Sequence, residues 1–189
     1  MSRLLHFTYD ILLEFSRPVT RHSFVLRCLP PQLPGQQILD AELVLDPAVA
    51  FSVQRDGFGN LLQAGCIQAP HASFHYTARG TALRDDTRRQ PEPCHPVFRM
   101  ESAYTRPDPD MTGWLASLSL PDTPRQLAWA LAQAVHDRIA YVPGATGVAT
   151  TAAQAFAAGQ GVCQDFAHIY LALARKAGLA ARYVNGLPE

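Results

Sequence analysis

What the chain lacks narrows its possibilities first. No apolar run reaches the roughly 20 residues that a helix needs to cross a bilayer. Arg3, His6 and Asp10 interrupt the apolar residues from Met1 to Leu13, which lack the core and the small-residue cleavage site of an export signal. Charge of one sign is also absent: 16 Lys+Arg balance 16 Asp+Glu. That removes the strong field expected of a nucleic-acid or anionic-membrane partner. Cysteine is scarce, and Cys28, Cys66, Cys94 and Cys163 form no CxxC pair. Free thiols in a cytoplasmic protein are therefore expected, not a disulfide framework. No Asp/Glu-rich loop of the EF-hand kind appears, so calcium is not expected. There is no internal repeat and no low-complexity segment. The remaining composition, 48% hydrophobic and 17% charged, is that of a folded chain. Its 189 residues fit one domain or two small ones.

What is present changes character midway. Leu5, Phe7, Tyr9 and Ile11 alternate with His6, Thr8 and Asp10, and Phe24, Leu26 and Cys28 alternate with Ser23, Val25 and Arg27. Leu39, Ala41, Leu43 and Leu45 face one way, and Asp40, Glu42 and Asp46 the other. Such alternation predicts half-buried strands. Residues 61–67 and 73–78 give two more. Pro30-Pro31, Pro34-Gly35, Asp46-Pro47 and Asp56-Gly57-Phe58-Gly59-Asn60 supply turns between them. The last of these has glycines enough for a phosphate loop, but no helix pattern follows it, so a hairpin turn is the better expectation. The expected fold class is α+β, opening with an antiparallel β-sandwich-like domain over residues 1–90.

Charges and Pro91, Pro93 and Pro96 cluster in 85–96 and mark a boundary. Pro107, Asp108, Pro109 and Asp110 extend the expectation of a linker or irregular segment over 91–122. Helical patterning then occupies 123–189. Thr123-Pro124-Arg125-Gln126 has the form of a capping box with proline at the first helical position, followed by Leu127, Leu131, Ala134, Val135 and Ile139 on one stripe. Thr151-Ala152-Ala153-Gln154 predicts a second box, on a short helix ending at Gly159. A third helix runs from near Cys163 to Gly178, with Phe166, Ile169, Tyr170, Leu173, Ala174 and Ala177 on its stripe. Residues 180–184 read as a strand leaving it.

The chemistry concentrates at Gly161-Val162-Cys163-Gln164-Asp165-Phe166-Ala167-His168. A thiol in the first turn of a helix meets the positive end of the dipole and unpaired backbone N–H groups. Both favour the thiolate, which is the nucleophile. The N–H of Cys163 or Gln164 would also suit a developing oxyanion. The competing reading is a small buried cysteine that fills a gap. His168 lies five residues on, about 140° around the helix, and so does not pair directly with Cys163. Asp165 reads as a helix-start carboxylate more readily than as a catalytic acid. Gln164 and Asp165 are the supporting candidates, and the base has to come from elsewhere in the fold.

Residues 141–146, 150–155, 159–168 and 178–184 resemble the bacterial transglutaminase-like family in order and spacing. The β-rich first half, Asp56-Gly57-Phe58-Gly59-Asn60 included, resembles the region that precedes that core. The resemblance implies a papain-like Cys-His-Asp triad performing acyl transfer on an amide or glutaminyl group of a peptide or protein, with Cys163 as nucleophile. It implies that residues 123–189 are the start of a truncated core, and that the histidine and aspartate follow beyond residue 189. On that basis the chain is expected to be a fragment without activity of its own. No cofactor and no metal are expected. A different class of function stays open: a binding module in which the cysteine is structural. A metal site from His71, His75, Cys94 and His95 is disfavoured, because residues four apart on a strand lie about 13 Å from one another. Trp114, Trp129 and Tyr141 are expected in the core rather than along a substrate cleft.

Overall fold

β1 (Ser2–Val19) runs extended for 18 residues; its burial alternates from Leu5 to Ile11, and its pairing register shifts between Glu14 and Val19. The computed structural model describes residues 2–88 and 94–184, which form two separate units. Pro91 and Pro93 of the expected boundary, and residues 185–189 of the expected core, lie outside the described residues.

In the first unit β1 runs antiparallel to β6 (His71–Asp85), and β6 pairs on its other side with β3 (Gln36–Asp46). A second antiparallel sheet has the order β2 (His22–Leu26), β5 (Leu61–Ile67), β4 (Phe51–Arg55). Phe24, Leu26, Leu45, Ile67 and Phe74 form a buried cluster drawn from both sheets. Each such side chain contributes about 1.5–3 kcal/mol by leaving water. The inward residues of β1 are those the alternation picks out. Leu5, Phe7, Tyr9 and Ile11 sit opposite Ala82, Gly80, Ala78 and Tyr76.

β3 departs from its pattern at one residue. Leu39, expected inward, is 51% exposed. A bulge between Ile38 and Asp40 leaves Leu39 without a ladder partner and turns Ile38 toward Ala82 instead. Past the bulge Leu43 is half-buried and Leu45 buried, while Ala41, also expected inward, is exposed. β4 was not legible, since only Phe51 among its five residues is even half-buried.

Asp56 to Asn60 is the hairpin turn between β4 and β5. The Asp56 carboxylate accepts the N–H of Phe58 and of Asn60, each at 2.9 Å, and the Asn60 amide at 2.9 Å. The Asn60 side-chain bond chiefly holds this carboxyl below the usual aspartate range. A negative charge occupies the N–H groups that a phosphate would need.

His22 and His71 stack with ring centroids 5.2 Å apart, against the edges of Phe15 and Phe74. His71 Nδ1 faces the Ala69 carbonyl at 2.9 Å and donates to it. Its Nε2 is left to accept from His22 Nδ1 at 3.0 Å. His75 instead meets Asp10 at 2.9 Å, and His95 accepts from the Val97 N–H. The three histidines weighed for a metal thus have separate engagements.

The second unit packs α1 (Pro109–Ser117), α2 (Pro124–Arg138) and α3 (Ala152–Ala158) around α4 (Cys163–Lys176). The expected linker is corrected here: residues 94–122 belong to this unit, and 109–117 are helical. The Pro/Asp cluster that suggested irregularity is a helix start. Asp108 accepts the Met111 N–H at 2.8 Å, Pro109 opens the helix, and Met111 is wholly buried. The Thr123 cap is also revised. Its hydroxyl donates to the Gln126 side chain at 2.6 Å and makes no bond to the helix backbone. The Thr151–Gln154 box forms as expected, and Gly159 closes α3 in the left-handed region.

No strand forms over 179–184, because no ladder partner is present among the described residues. The Ala181 N–H donates to the Phe98 carbonyl at 2.9 Å. Arg175 crosses this segment, donating to the carbonyls of Phe98 and Ala181 and to the Thr105 hydroxyl. None of the described helices is long and apolar enough to cross a membrane.

Two outcomes are expected. A methyl at Gly80 would lie 2.3 Å from the Asp40 carbonyl and 2.8 Å from the Phe7 ring, so Gly80→Ala should destabilise the first unit by about 1–3 kcal/mol in urea unfolding. Burial, and secondly the charge of His71, lowers the His22 pKa. The folded state therefore prefers neutral His22, and stability should fall as pH drops below about 6.5, where the unfolded chain takes up the proton first. Unfolding midpoints from pH 7.5 to 5 should show that slope, and His22→Gln should flatten it.

Candidate active site at the start of helix α4

The site is built by a turn and a clamp. α3 ends at Gly159 with φ of 65°. The chain then runs as β8 (Gln160–Gly161) parallel to β7 (Ala140–Tyr141). The Ala140 N–H donates to the Gly159 carbonyl, and the Val142 N–H to the Gly161 carbonyl, each at 2.9 Å. This clamp fixes the approach to α4 and holds the 142–150 loop beside it.

Val162 is the extended N-cap and Cys163 the first helical residue. The Cys163 thiol is exposed. That disfavours the gap-filling reading, which needs it buried. Cys28 shows the contrast: it is half-buried, its thiol faces Gln63 Oε1 at 3.8 Å, and burial pushes its pKa up. The N–H groups of Asp165 and Phe166 donate back to the Val162 carbonyl at 2.8 and 3.2 Å. Among the described residues, no acceptor meets the N–H of Cys163 or Gln164. Two donors are thus left open beside the thiol, at the positive end of the helix.

Asp165 is 1% exposed. Its Oδ2 accepts the Val162 N–H at 2.7 Å and the Thr146 hydroxyl at 2.5 Å. Oδ1 is buried with no partner among the described residues. This is the helix-start carboxylate foreseen in the sequence, with an added role in holding the neighbouring loop. Thr146 was not singled out as a site residue; its one signal is a hydroxyl inside a glycine-flanked loop next to a cysteine turn. Gln164 reaches the Val148 carbonyl at 3.4 Å, a long contact at the surface.

His168 lies between the rings of Tyr104 and Tyr183, with centroids 5.8 and 5.9 Å away. Its Nδ1 is buried and has no partner among the described residues. It does not meet Cys163, as the helical spacing requires. In the same unit His95 caps a short turn and His136 faces Asp137 at 3.2 Å. No described residue of this unit hydrogen-bonds to the Cys163 sulfur.

The aromatic residues divide. Trp114 packs on Phe156 and beneath Arg138, as expected of the core. Trp129 and Tyr141, also expected inside, are 76% and 63% exposed. Trp129 falls on the solvent side of α2, whose buried residues are Leu131 and Val135. Tyr141 sits on a two-residue strand with no cover, 6.4 Å from the Phe166 ring.

Gly161 makes room for the carboxylate. A methyl there would lie 2.6 Å from Asp165 Cβ and 2.7 Å from Oδ2. Gly161→Ala should therefore displace Asp165 and lower the stability of the second unit by about 1–3 kcal/mol. Urea unfolding checks this, and a variant as stable as the parent would mean that Asp165 is not held as described.

Residues 5–82 match the bacterial transglutaminase-like N-terminal region, and residues 114–189 match the transglutaminase-like superfamily. An uncharacterized protein of Mycobacterium leprae is 24% identical over 97% of this chain and 70% of its own length. One from Mycobacterium tuberculosis is 28% identical over 80% of this chain, which spans 55% of that relative. The fold is similar to the crystal structure of a "Putative Cysteine Protease" from Cytophaga hutchinsonii, with a TM-score of 0.69 at 19% identity, over 90% of this chain and 65% of that one. With its two regions matched over most of its length, the chain belongs to the transglutaminase-like superfamily and carries the bacterial N-terminal region ahead of the core.

Proposed function

We propose that this chain supplies the nucleophile of a cysteine acyl-transfer enzyme acting on an amide or glutaminyl group of a peptide or protein. The observation that carries this reading is the exposed Cys163 thiol on the first residue of α4, beside two N–H groups without acceptors. Membership of the superfamily supports it. As a thiolate, Cys163 attacks the carbonyl carbon: the S–C bond forms, and the carbonyl π pair moves to oxygen. The open N–H groups are placed to hold that oxyanion. Its collapse breaks the C–N bond and leaves an acyl-thioenzyme, the amine departing with a proton from a general acid. Water as acceptor gives hydrolysis, and an amine gives transamidation.

Among the described residues that general acid is not found around Cys163, since His95, His136 and His168 are engaged elsewhere in the unit. The polypeptide 1–189 alone is therefore proposed to bind covalently without turning over, because a triad without its base loses most of its rate.

A peptide vinyl sulfone, read by peptide mass spectrometry, tests both statements. The expected result is one adduct on Cys163, ahead of Cys66 and Cys94, and no turnover of an amide or thioester substrate. Equal labelling of all exposed thiols would favour a structural cysteine in a binding module. Turnover lost in Cys163→Ala would overturn the proposed inactivity.

A further inference from the structure

We infer that Asp165, acting through Thr146, is a positioning residue that keeps the Cys163 and Gln164 N–H groups free and aligned for the oxyanion. The inference rests on Cys163 being the nucleophile. It assigns a task to a buried carboxylate that the chemistry at the thiol does not itself use.

The argument begins with which donors the carboxylate takes. Asp165 is the third residue of α4, so its side chain folds back over the first turn. Acceptors at the start of a helix ordinarily satisfy the free N–H groups of that turn. Here Oδ2 takes the Val162 N–H, one residue ahead of the helix, and leaves the N–H of Cys163 and Gln164 without acceptors among the described residues. A side-chain cap from position 162 would have removed one of them, but valine has no acceptor to offer.

The second donor comes from outside the helix. Thr146 Oγ1 donates to the same oxygen at 2.5 Å, from a loop tied at its near end by the β7–β8 clamp. Among the described residues Oδ1 has no partner, so these two bonds orient the carboxylate. The Thr146 bond ties the loop to the first turn on the side where Gln164 reaches Val148. Removal of the hydroxyl frees the loop, and lets the carboxylate turn toward the open N–H groups and occupy them.

A peptide aldehyde separates this role from general support of the fold. The thiol adds across the aldehyde: an S–C bond forms, the carbonyl π bond opens, and the thiol proton ends on the new oxygen. That oxygen needs the two N–H groups, whereas iodoacetamide alkylates the sulfur without them. Protection of Cys163 from iodoacetamide by the aldehyde, in the 189-residue chain, measures both quantities.

Thr146→Val and Asp165→Asn are expected to weaken aldehyde protection about ten-fold and to change the direct alkylation rate less than about two-fold. Thr146→Ser should restore protection. Unchanged protection in Thr146→Val overturns the inference, even if Asp165→Asn fails to fold. So does a parallel loss of protection and alkylation that Thr146→Ser does not rescue. If the parent chain shows neither aldehyde protection nor selective vinyl sulfone labelling, the nucleophile reading itself falls.

Discussion

Helix α4 has to bury one stripe and expose its first residue, and the second unit is arranged around that requirement. Ile169, Leu173 and Ala174 are fully buried among residues of the other three helices. Cys163, at the opposite end of the same helix, stays in solvent. The transition takes place within the first turn, where Asp165 is already buried and anchors the backbone just ahead of the thiol. Hydrophobic packing supplies most of the energy but is non-directional. The direction of the helix start is set by hydrogen bonds: the β7–β8 clamp, the Asp165 carboxylate and the Thr146 hydroxyl.

The first unit follows a different logic. Its two sheets are antiparallel throughout, and the cluster of Phe24, Leu26, Leu45, Ile67 and Phe74 draws on both. Close approach of strands is managed at Gly80, and a shift of face is managed by the bulge at Leu39. The stacked His22 and His71 rings lie beside that cluster, and burial lowers the His22 pKa. The two rings share one hydrogen bond, and His71 donates another to the Ala69 carbonyl. A neutral His22 costs less to bury there than a charged one would.

Much of the scaffold was legible because it depends on local rules. The period of two in β1, β2 and the later part of β3, the hairpin at Asp56 and the Thr151 box all follow from residues close in sequence. So does the span of α4, from Cys163 to its glycine stop at Gly178, where φ is 85°. The misreadings came where a local signal has two outcomes. Pro-Asp clusters break structure or begin a helix, and only the burial of Met111 makes 109–117 a helix. Alternation cannot foresee a bulge, because the extra residue at Leu39 is set by pairing with β6. An aromatic residue is buried only if something covers it, and Trp129 and Tyr141 are left 76% and 63% exposed among the described residues.

At the site the same division holds. The sequence by itself determined that a cysteine opens an amphipathic helix after two glycines, since helix starts, glycine turns and the 3.6-residue period are properties of the chain alone. It also determined that His168 could not serve Cys163, since five residues on a helix point the two side chains apart. Only the tertiary structure decided that the thiol is exposed, that Thr146 reaches Asp165 across 19 positions, and that the N–H groups of Cys163 and Gln164 keep no acceptor. Exposure, long-range hydrogen bonds and unsatisfied donors depend on what the folded chain brings alongside, and no local pattern encodes that.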